Sequence, residues 1–459
     1  MKALDALRQA VPALRLATAP ADLEHYGRDW TRRWTPAPLA IAFPADTAEV
    51  QALVQWARET GTPLVPSGGR TGLSGGAVAA HGEVVVSLER MNRILGFNAV
   101  DRTLTVQAGA TLQAVQEAAR AQGLSYPVDF ASRGSCTIGG NIATNAGGIR
   151  VIRHGNTREW IAGLTCVAGT GEVLQCNRGL IKNSSGYDFR HLLIGSEGTL
   201  GIVTEAILKL ADPLPPSKVI LLALPSFDAV MAAFVAVRDA LRVQAFEFFT
   251  GEALRHVVAH GAQDPFDAVH SAYALVEVDC ANEADEAALL AVFEDCLERG
   301  VAADVVLATS DAQAAALWRL REGITESIAG HAPYKNDISV QVSALPAFLA
   351  EAEALLTAEY PDFEVIWFGH IGDGNLHISI LRPETLAPEM FLARCEDVTS
   401  HLANVLARHG GSISAEHGIG LVKKPWALRM HGAETVTLMR GVRRSFDPAG
   451  ILNPCKVFD

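Results

Sequence analysis

The chain has 459 residues, of which 49% are hydrophobic and 19% charged, and its net charge is −13. That length exceeds one ordinary core, so two or three domains are expected, and the apolar content excludes a disordered chain. The acidic balance without a long basic run argues against a nucleic-acid partner, and no uncharged apolar run reaches the roughly 18 residues of a membrane-spanning helix.

Near the N-terminus, Asp5, Arg8 and Arg15 interrupt an Ala/Leu-rich stretch, which leaves no clean secretory segment; a weak amphipathic targeting helix stays an alternative. A helix is predicted over 44–60, capped by Asp46 or Thr47, with Val50, Leu53, Val54 and Ala57 at helical spacing. Strands follow at 64–65, 84–88 and 104–106, then a helix over 111–122. From 134 to 148 small polar residues dominate and no helical periodicity survives, which predicts loops pressed against a ligand. Strands return at 163–167 and 201–210. The proline-rich stretch 211–217 reads as a linker. Beyond it, strand 219–224, helix 227–241, strands 245–249 and 273–278, helix 283–298 and strand 304–307 give the β-α-β-β-α-β order of a ferredoxin-like unit. A helix over 312–329, a strand over 337–342, a helix over 346–360 and a hairpin near 373 complete it. The tail 446–457 is turn-rich and is expected to pack back onto the first domain. The expected borders are 1–212, 213–420 and 421–459. Seven cysteines without a CxxC pair indicate a reducing compartment, so the expected location is cytoplasmic.

Three glycine-rich loops carry the first chemical signal. Pro66-Ser-Gly-Gly-Arg-Thr-Gly-Leu-Ser-Gly-Gly76 follows an apolar strand and can bring backbone N–H groups close to an anion. It contains neither G-x-G-x-x-G after a strand nor a P-loop, which removes the main support for Rossmann-type NAD binding and NTPase chemistry. Cys136–Gly148 and Gly195–Ile202 repeat the small-residue character, and three such loops suggest an extended ligand such as a dinucleotide.

Phe368-Gly-His-Ile-Gly-Asp-Gly-Asn-Leu-His377 carries the second. Asp373-Gly374 suits a two-residue type I′ turn, and a hairpin centred there would pair His370 directly with His377. Opposed residues have Cβ atoms about 5 Å apart, so both imidazoles could grip one ion. Ser414-Ala-Glu-His-Gly-Ile-Gly420 offers Glu416 as third ligand and His417 as a base. Ligands on one side only leave positions open for substrate. The alternative is that both histidines are ordinary strand residues.

Together these motifs resemble the FAD domain of the vanillyl-alcohol oxidase superfamily. The hairpin, the Glu416-His417 loop and Leu452-Asn-Pro-Cys-Lys456 narrow the resemblance to FAD-linked D-2-hydroxyacid dehydrogenases. The implied fold is α+β, a two-lobed FAD-binding domain followed by a ferredoxin-like substrate domain with the metal site and a C-terminal segment returning to the FAD domain. The implied cofactor contacts are Pro66, Ser67, Gly68, Gly69, Arg70, Thr71, Gly72 and Leu73 in the first loop, which would hold the pyrophosphate. In the second they are Ser132, Cys136, Thr137, Gly139, Gly140, Asn141, Thr144, Asn145 and Gly147, and in the third Glu197, Gly198, Gly201 and Ile202. Asn453 and Lys456 would return near the flavin. Superfamily members with covalent flavin commonly place a His in the first loop; Arg70 stands there, which implies non-covalent FAD.

For the substrate, Arg321 falls on the apolar stripe of Leu317, Ile324 and Ile328, with Thr325 one turn on. An inward guanidinium needs an anion, either an internal carboxylate such as Asp337 or a ligand. Lys335 is a second cation or a solvated loop residue. Arg321, Thr325 and Lys335 resemble the set by which D-2-hydroxyglutarate dehydrogenases hold the distal carboxylate. Ser379 departs from that pattern, which has Asn, and leaves the exact substrate open. The implied reaction oxidises a D-2-hydroxy acid, D-2-hydroxyglutarate ahead of D-lactate, D-malate or glycolate. His370, His377 and Glu416 would hold a divalent metal such as Zn²⁺, His417 would take the hydroxyl proton, and FAD would take the hydride. An electron-transfer flavoprotein or a quinone is the implied acceptor. The oligomeric state stays open, a homodimer among the alternatives. A metal-dependent hydrolase or a non-catalytic binding protein is the remaining alternative, and each leaves part of this pattern unexplained.

Overall fold

The computed structural model describes residues 2–458, and the chain divides into two units. The first comprises Met1–Gly148, His154–Pro213 and Glu416–Asp459, the second Ile149–Arg153 and Leu214–Ala415. Contacts thus count Glu416 and His417 with the first unit, while the short segment at Arg150 and Arg153 counts with the second.

The first unit contains two sheets. β1 (Arg15–Ala17), β2 (Ala40–Phe43), β3 (Leu64–Ser67) and β4 (Val84–Ser87) lie in the order β1-β2-β4-β3, parallel except for β1 against β2. Helix Thr47–Thr60 joins β2 to β3. Asp46 caps it by accepting the Glu49 N–H at 2.9 Å, and Gly61 ends it at φ 67°, where glycine avoids the left-handed penalty. β5 (Ile94–Asn98), β6 (Thr103–Gln107), β7 (Ile161–Ala168), β8 (Val173–Cys176) and β9 (Gly201–Lys209) form an antiparallel sheet of order β5-β6-β9-β7-β8. Val50, Leu53, Ile138, Val167 and Leu208 lie in one continuous core beneath these elements. The C-terminal segment closes onto β3, because Leu64 N–H donates to Ile451 O and Asn453 N–H donates to Leu64 O, both at 2.8 Å. A helix over Lys424–Phe446, broken at Gly432, precedes that return and was not predicted. The loops expected over 134–148 contain a seven-residue helix, Ile138–Thr144. It is too short for periodicity to reveal, and Gly139 allows it to approach Ala108 so closely that a Cβ there would lie 2.8 Å from the Ala108 Cβ.

The second unit is one seven-stranded sheet. Its strands are β10 (Ser217–Leu224), β11 (Val243–Thr250), β12 (Ala272–Asp279), β13 (Asp304–Leu307), β14 (Tyr334–Ser339), β15 (Glu364–Gly369) and β16 (Asn375–Leu381). The order is β13-β10-β12-β11-β15-β16-β14. The first four strands and helices Phe227–Ala240 and Glu283–Glu298 form the ferredoxin-like part. The reading missed helix Gly251–Ala259 between β11 and β12. It also missed that the sheet continues, through Phe248 opposite Gly369 and Phe249 opposite Phe368. The helix expected over 312–329 is two, Asp311–Glu322 and Ile324–Ser327, separated at Gly323.

The hairpin differs in detail. Phe368, not His370, is opposite His377, and the connection spans five residues with a single 3-10 turn at Ile371–Asp373. His370 O accepts from both Asp373 N–H and Asn375 N–H at 3.2 Å, which wraps the loop around it. Gly374 takes φ 85°, and a Cβ there would fall 2.1 Å from Val340 O.

Candidate active site

In the first unit the three glycine-rich loops enclose a cavity of about 520 Å³. The first two are locked together by close approach. A Cβ at Gly69 would lie 1.9 Å from Ser135 O, and one at Gly68 would lie 2.2 Å from the Thr137 hydroxyl oxygen. Gly198, at φ 73°, lets the third loop press on Pro66. Pro66 to Leu73, Ser132, Cys136, Thr137, Gly139, Gly140, Asn141, Thr144, Gly147, Glu197, Gly198, Gly201 and Ile202 all line this cavity. Ser196, within the third loop, also lines it and was not singled out; Trp30 and Phe130 line it too and were missed, since single residues outside the glycine clusters carry no sequence signal.

Asn145 and Asn453 have other tasks. Asn145, at φ 50°, ends helix Ile138–Thr144 and accepts the Arg158 N–H at 2.9 Å. The Asn453 amide donates to Gly76 O at 2.9 Å and Glu197 O at 2.7 Å, clamping the first loop to the third. Lys456 is buried and donates to Val78 O at 2.8 Å. Arg70, at φ 56°, lays its guanidinium 4.5 Å from the Tyr26 ring centroid and 3.0 Å from His25 Nε2.

Glu197 ties the third loop to the segment after His417. Its carboxylate accepts Ile419 N–H at 2.7 Å and Gly420 N–H at 2.8 Å. Burial outweighs these two donors and pushes its pKa up to about 7. Glu416 and His417 both line the cavity.

Three buried polar atoms on the cavity wall, Ser67 Oγ, Thr137 Oγ1 and Asn141 Nδ2, have no hydrogen-bond partner among the described residues. A buried polar group without a partner costs about 1–3 kcal/mol, so this wall is built for a polar ligand. Loops without side chains, lined by hydroxyl and amide groups, fit a dinucleotide cofactor.

The second unit carries a polar patch on one face of its sheet. Strand registers put Glu247 on β11, Phe368 on β15, His377 and Ser379 on β16, and Lys335 and Asp337 on β14 on that same face. Helix Asp311–Glu322 covers its apolar end through Leu317 and Leu320, packed with Phe249 and Phe368. Arg321 follows at the edge of that contact. Its partner is Glu247, at 2.8 Å, rather than Asp337, and its guanidinium lies 4.9 Å from the Phe368 centroid. Arg321 Nε has no partner among the described residues.

Glu247 also meets His370, with Nδ1 and Oε1 2.7 Å apart. Burial alone would raise Glu247, but His370 and Arg321 outweigh it and hold the carboxyl below its ordinary range. An ionised carboxylate only accepts, so the His370 Nδ1 carries a proton and donates to Glu247. His377 repeats the arrangement more loosely, its Nδ1 3.6 Å from Asp337 Oδ1. The two imidazoles are 5.3 Å apart at 84°. A histidine whose Nδ1 is backed by a carboxylate and whose Nε2 points elsewhere is the usual form of a metal ligand. Asp373 is half-buried, and desolvation pushes its pKa up to about 6, His370 partly offsetting it.

Lys335 and Ser379 are direct partners across β14 and β16. The Ser379 hydroxyl is buried with no partner among the described residues. Thr325 is exposed on the short helix that follows Gly323. Glu247 was missed as well. Its signal is an acid inside the apolar run Ala245-Phe-Glu-Phe-Phe249.

Comparison with known proteins finds two family matches along the chain. Residues 38–177 match an FAD binding domain family, and residues 215–457 match the C-terminal domain family of FAD linked oxidases. A D-2-hydroxyglutarate dehydrogenase of Xanthomonas citri pv. viticola is 66% identical over 453 residues, covering 99% of this chain and 96% of that protein. One from Stutzerimonas stutzeri is 47% identical over 456 residues, covering 99% and 98%. A mitochondrial protein of Schizosaccharomyces pombe, provisionally named a D-lactate dehydrogenase, is 35% identical over 463 residues, covering 97% and 86%. Among solved structures, p-cresol methylhydroxylase superposes with a TM-score of 0.79 at 14% identity, covering 100% of this chain and 96% of its own. Alkyldihydroxyacetonephosphate synthase gives 0.71 at 19%, covering 96% and 83%. These two establish the fold alone, the α+β FAD-binding architecture expected from the loops. With family matches over most of its length and relatives aligned over nearly all of it, the chain belongs to the FAD-linked oxidase family.

Proposed function

We propose that this protein is a dehydrogenase that oxidises D-2-hydroxyglutarate to 2-oxoglutarate with non-covalent FAD and a divalent cation. The observation that carries the reading is the polar face of the second unit, where two carboxylate-backed imidazoles stand beside a buried, oriented guanidinium. The names of the 66% and 47% identical relatives point to the same substrate. A monocarboxylic hydroxy acid would have no use for a second cationic subsite.

His370 and His377 would hold the cation. Glu416 is the proposed third ligand, supported within the second unit by the path of the chain leading to it. Ser412 pairs with Ser339, and Ala415 N–H reaches Asp337 O at 3.4 Å, so the strand edge beside His377 guides the chain up to residue 415. Two imidazoles and one carboxylate suit Zn²⁺ and leave positions open for substrate. When bound, the cation supplies Lewis acidity toward the substrate hydroxyl and FAD supplies the hydride acceptor.

The chain's own residues do the rest. His417 takes the hydroxyl proton, a task neutral imidazole performs near pH 7. Arg321, with donors left over from Glu247, binds the distal carboxylate, with Lys335 as the second cation and Ser379 between it and the cation site. Thr325 and Lys335 are both exposed, so each contributes less than the buried Arg321. Ser67, Thr137 and Asn141 bind the cofactor's polar groups, and Arg70, committed to Tyr26 and His25, offers no site for a flavin bond. A cytoplasmic location and an electron-transfer flavoprotein or quinone as acceptor complete the proposal. Among the described residues no helix is long and apolar enough to cross a membrane.

The test is a panel of D-2-hydroxyglutarate, D-lactate, D-malate and glycolate with an artificial dye acceptor. D-2-hydroxyglutarate is expected to give the highest kcat/KM. A preference for D-lactate would move the reading to the activity named for the S. pombe relative.

A further inference from the structure

Glu247 sits at 1% side-chain exposure in the middle of the second unit's sheet, with one carboxylate oxygen facing His370 and the other facing Arg321. Oε1 lies 2.7 Å from His370 Nδ1, and Oε2 lies 2.8 Å from the Arg321 guanidinium. Its strand neighbours Phe246 and Phe248 are buried on the other face. A fully buried acid in an apolar strand is expensive, and a purely structural need would be met more cheaply by an apolar residue. What the acid does is geometric. It orients the His370 ring through Nδ1, and its other oxygen ion-pairs with the Arg321 guanidinium, which lies 4.9 Å from the Phe368 ring centroid.

We propose that Glu247 is a positioning residue shared by the two halves of the site, setting through one carboxylate both the cation affinity at His370 and the discrimination for a distal carboxylate at Arg321. This inference rests on the function proposed above and assigns a role to a residue that touches neither substrate nor cofactor. Because the carboxylate is shared, the two subsites are coupled. A cation at His370 draws Glu247 toward the imidazole and eases its hold on Arg321, so occupancy of one subsite favours an anion at the other.

The decisive variant is Glu247→Gln in the full-length, FAD-loaded protein, read in two independent ways. First, Zn²⁺ titration of chelator-stripped protein is expected to show cation affinity reduced about 10- to 100-fold, the usual loss when the group behind a ligating histidine is removed. Second, the ratio of kcat/KM for D-2-hydroxyglutarate over D-lactate is expected to fall about tenfold or more, mainly through KM. Glu247→Asp keeps the charge, and so the buried pairing, but is one methylene shorter and cannot reach both partners; it is expected to lose one readout and keep the other. Should Glu247→Gln fail to fold, Glu247→Asp carries the test. A folded variant with cation affinity within twofold of the native protein and an unchanged substrate ratio overturns the proposal, whatever its melting temperature. Native protein that binds no cation saturably overturns it too. Native protein that binds Zn²⁺ but prefers D-lactate defeats only the substrate assignment, and the titration still decides the role of Glu247 toward His370.

Discussion

Arg321 shows how far a single residue can be read. Its inward position was legible from one break in an apolar stripe, and physics demanded an anion for it. The identity of that anion was not legible. Asp337 and Glu247 are equally acidic in the sequence, and only the packing of helix Asp311–Glu322 against β11 brings Glu247 within 2.8 Å. This changes what a substitution should do. Arg321→Ala leaves Glu247 buried against His370 alone, and breaking such a pair costs about 3–5 kcal/mol, so the melting temperature should fall. Loss of a charge-assisted hydrogen bond of about 1.5–3 kcal/mol should in addition lower kcat/KM for D-2-hydroxyglutarate about 10- to 150-fold, and for D-lactate much less. Arg321→Lys keeps the charge but not the fork, so stability should recover more fully than discrimination. Parallel melting curves and the two-substrate ratio separate these effects. Equal loss on both substrates would make Arg321 a structural ion-pair member.

At the scale of elements, the histidine hairpin was read from its turn, and the turn type was wrong while the two histidines still come side by side. The expected register pairs 370 with 377, and the observed one pairs 368 with 377. A shift of two residues preserves the strand alternation, so the side chains stay on the face they would have occupied. The extra loop residues let His370 bend back, with its ring 5.3 Å from that of His377. Gly374 makes that bend possible. Gly374→Ala would place a Cβ in the left-handed region and against Val340 O, so it should both destabilise the protein by more than about 1 kcal/mol and weaken cation binding, with flavin absorbance unchanged.

The third loop makes a pH-dependent prediction. Glu197 has its folded pKa raised from 4.5 to about 7, so protonation favours the folded state. The unfolded chain loses this proton first as pH rises. The stabilisation is therefore complete below about 4.5, declines between there and about 7, and stays lost above that. Its size is on the order of 3 kcal/mol. Glu197→Gln cannot titrate, so the native protein should lose stability relative to this variant between pH 5 and 7 and run parallel to it at higher pH. Parallel behaviour across the whole range would show that the two backbone donors cancel the burial.

Across the whole molecule, the legible parts were those with local rules: the cap at Asp46, the β-α-β-β-α-β order and the glycine loops. What escaped depends on residues distant in sequence. Nothing near Leu64 announces that Ile451 and Asn453 will flank it, and nothing in 217–307 announces that β15 will extend the ferredoxin-like sheet. The same distribution predicts that the two cofactors contribute differently to stability. The cofactor cavity leaves Ser67, Thr137 and Asn141 buried without partners, so these loops gain contacts when FAD binds, and ligand binding to the native state alone raises the melting temperature. His370 is already held by Glu247, and cation ligands drawn from a loop and a strand do not form a closed structural cage. Chelation should therefore abolish dye reduction with little change in flavin spectrum or melting temperature, and Zn²⁺ or Mn²⁺ should restore turnover. Removing FAD should lower the melting temperature by several degrees. Acid precipitation, which unfolds the cavity, should release all yellow colour to the supernatant, because Arg70 provides no covalent anchor. Colour retained in the pellet would mean another residue holds the flavin. A large melting shift on chelation would mean the cation is part of the fold, and the division of labour between the polar sheet face and the glycine-loop cavity would have to be redrawn.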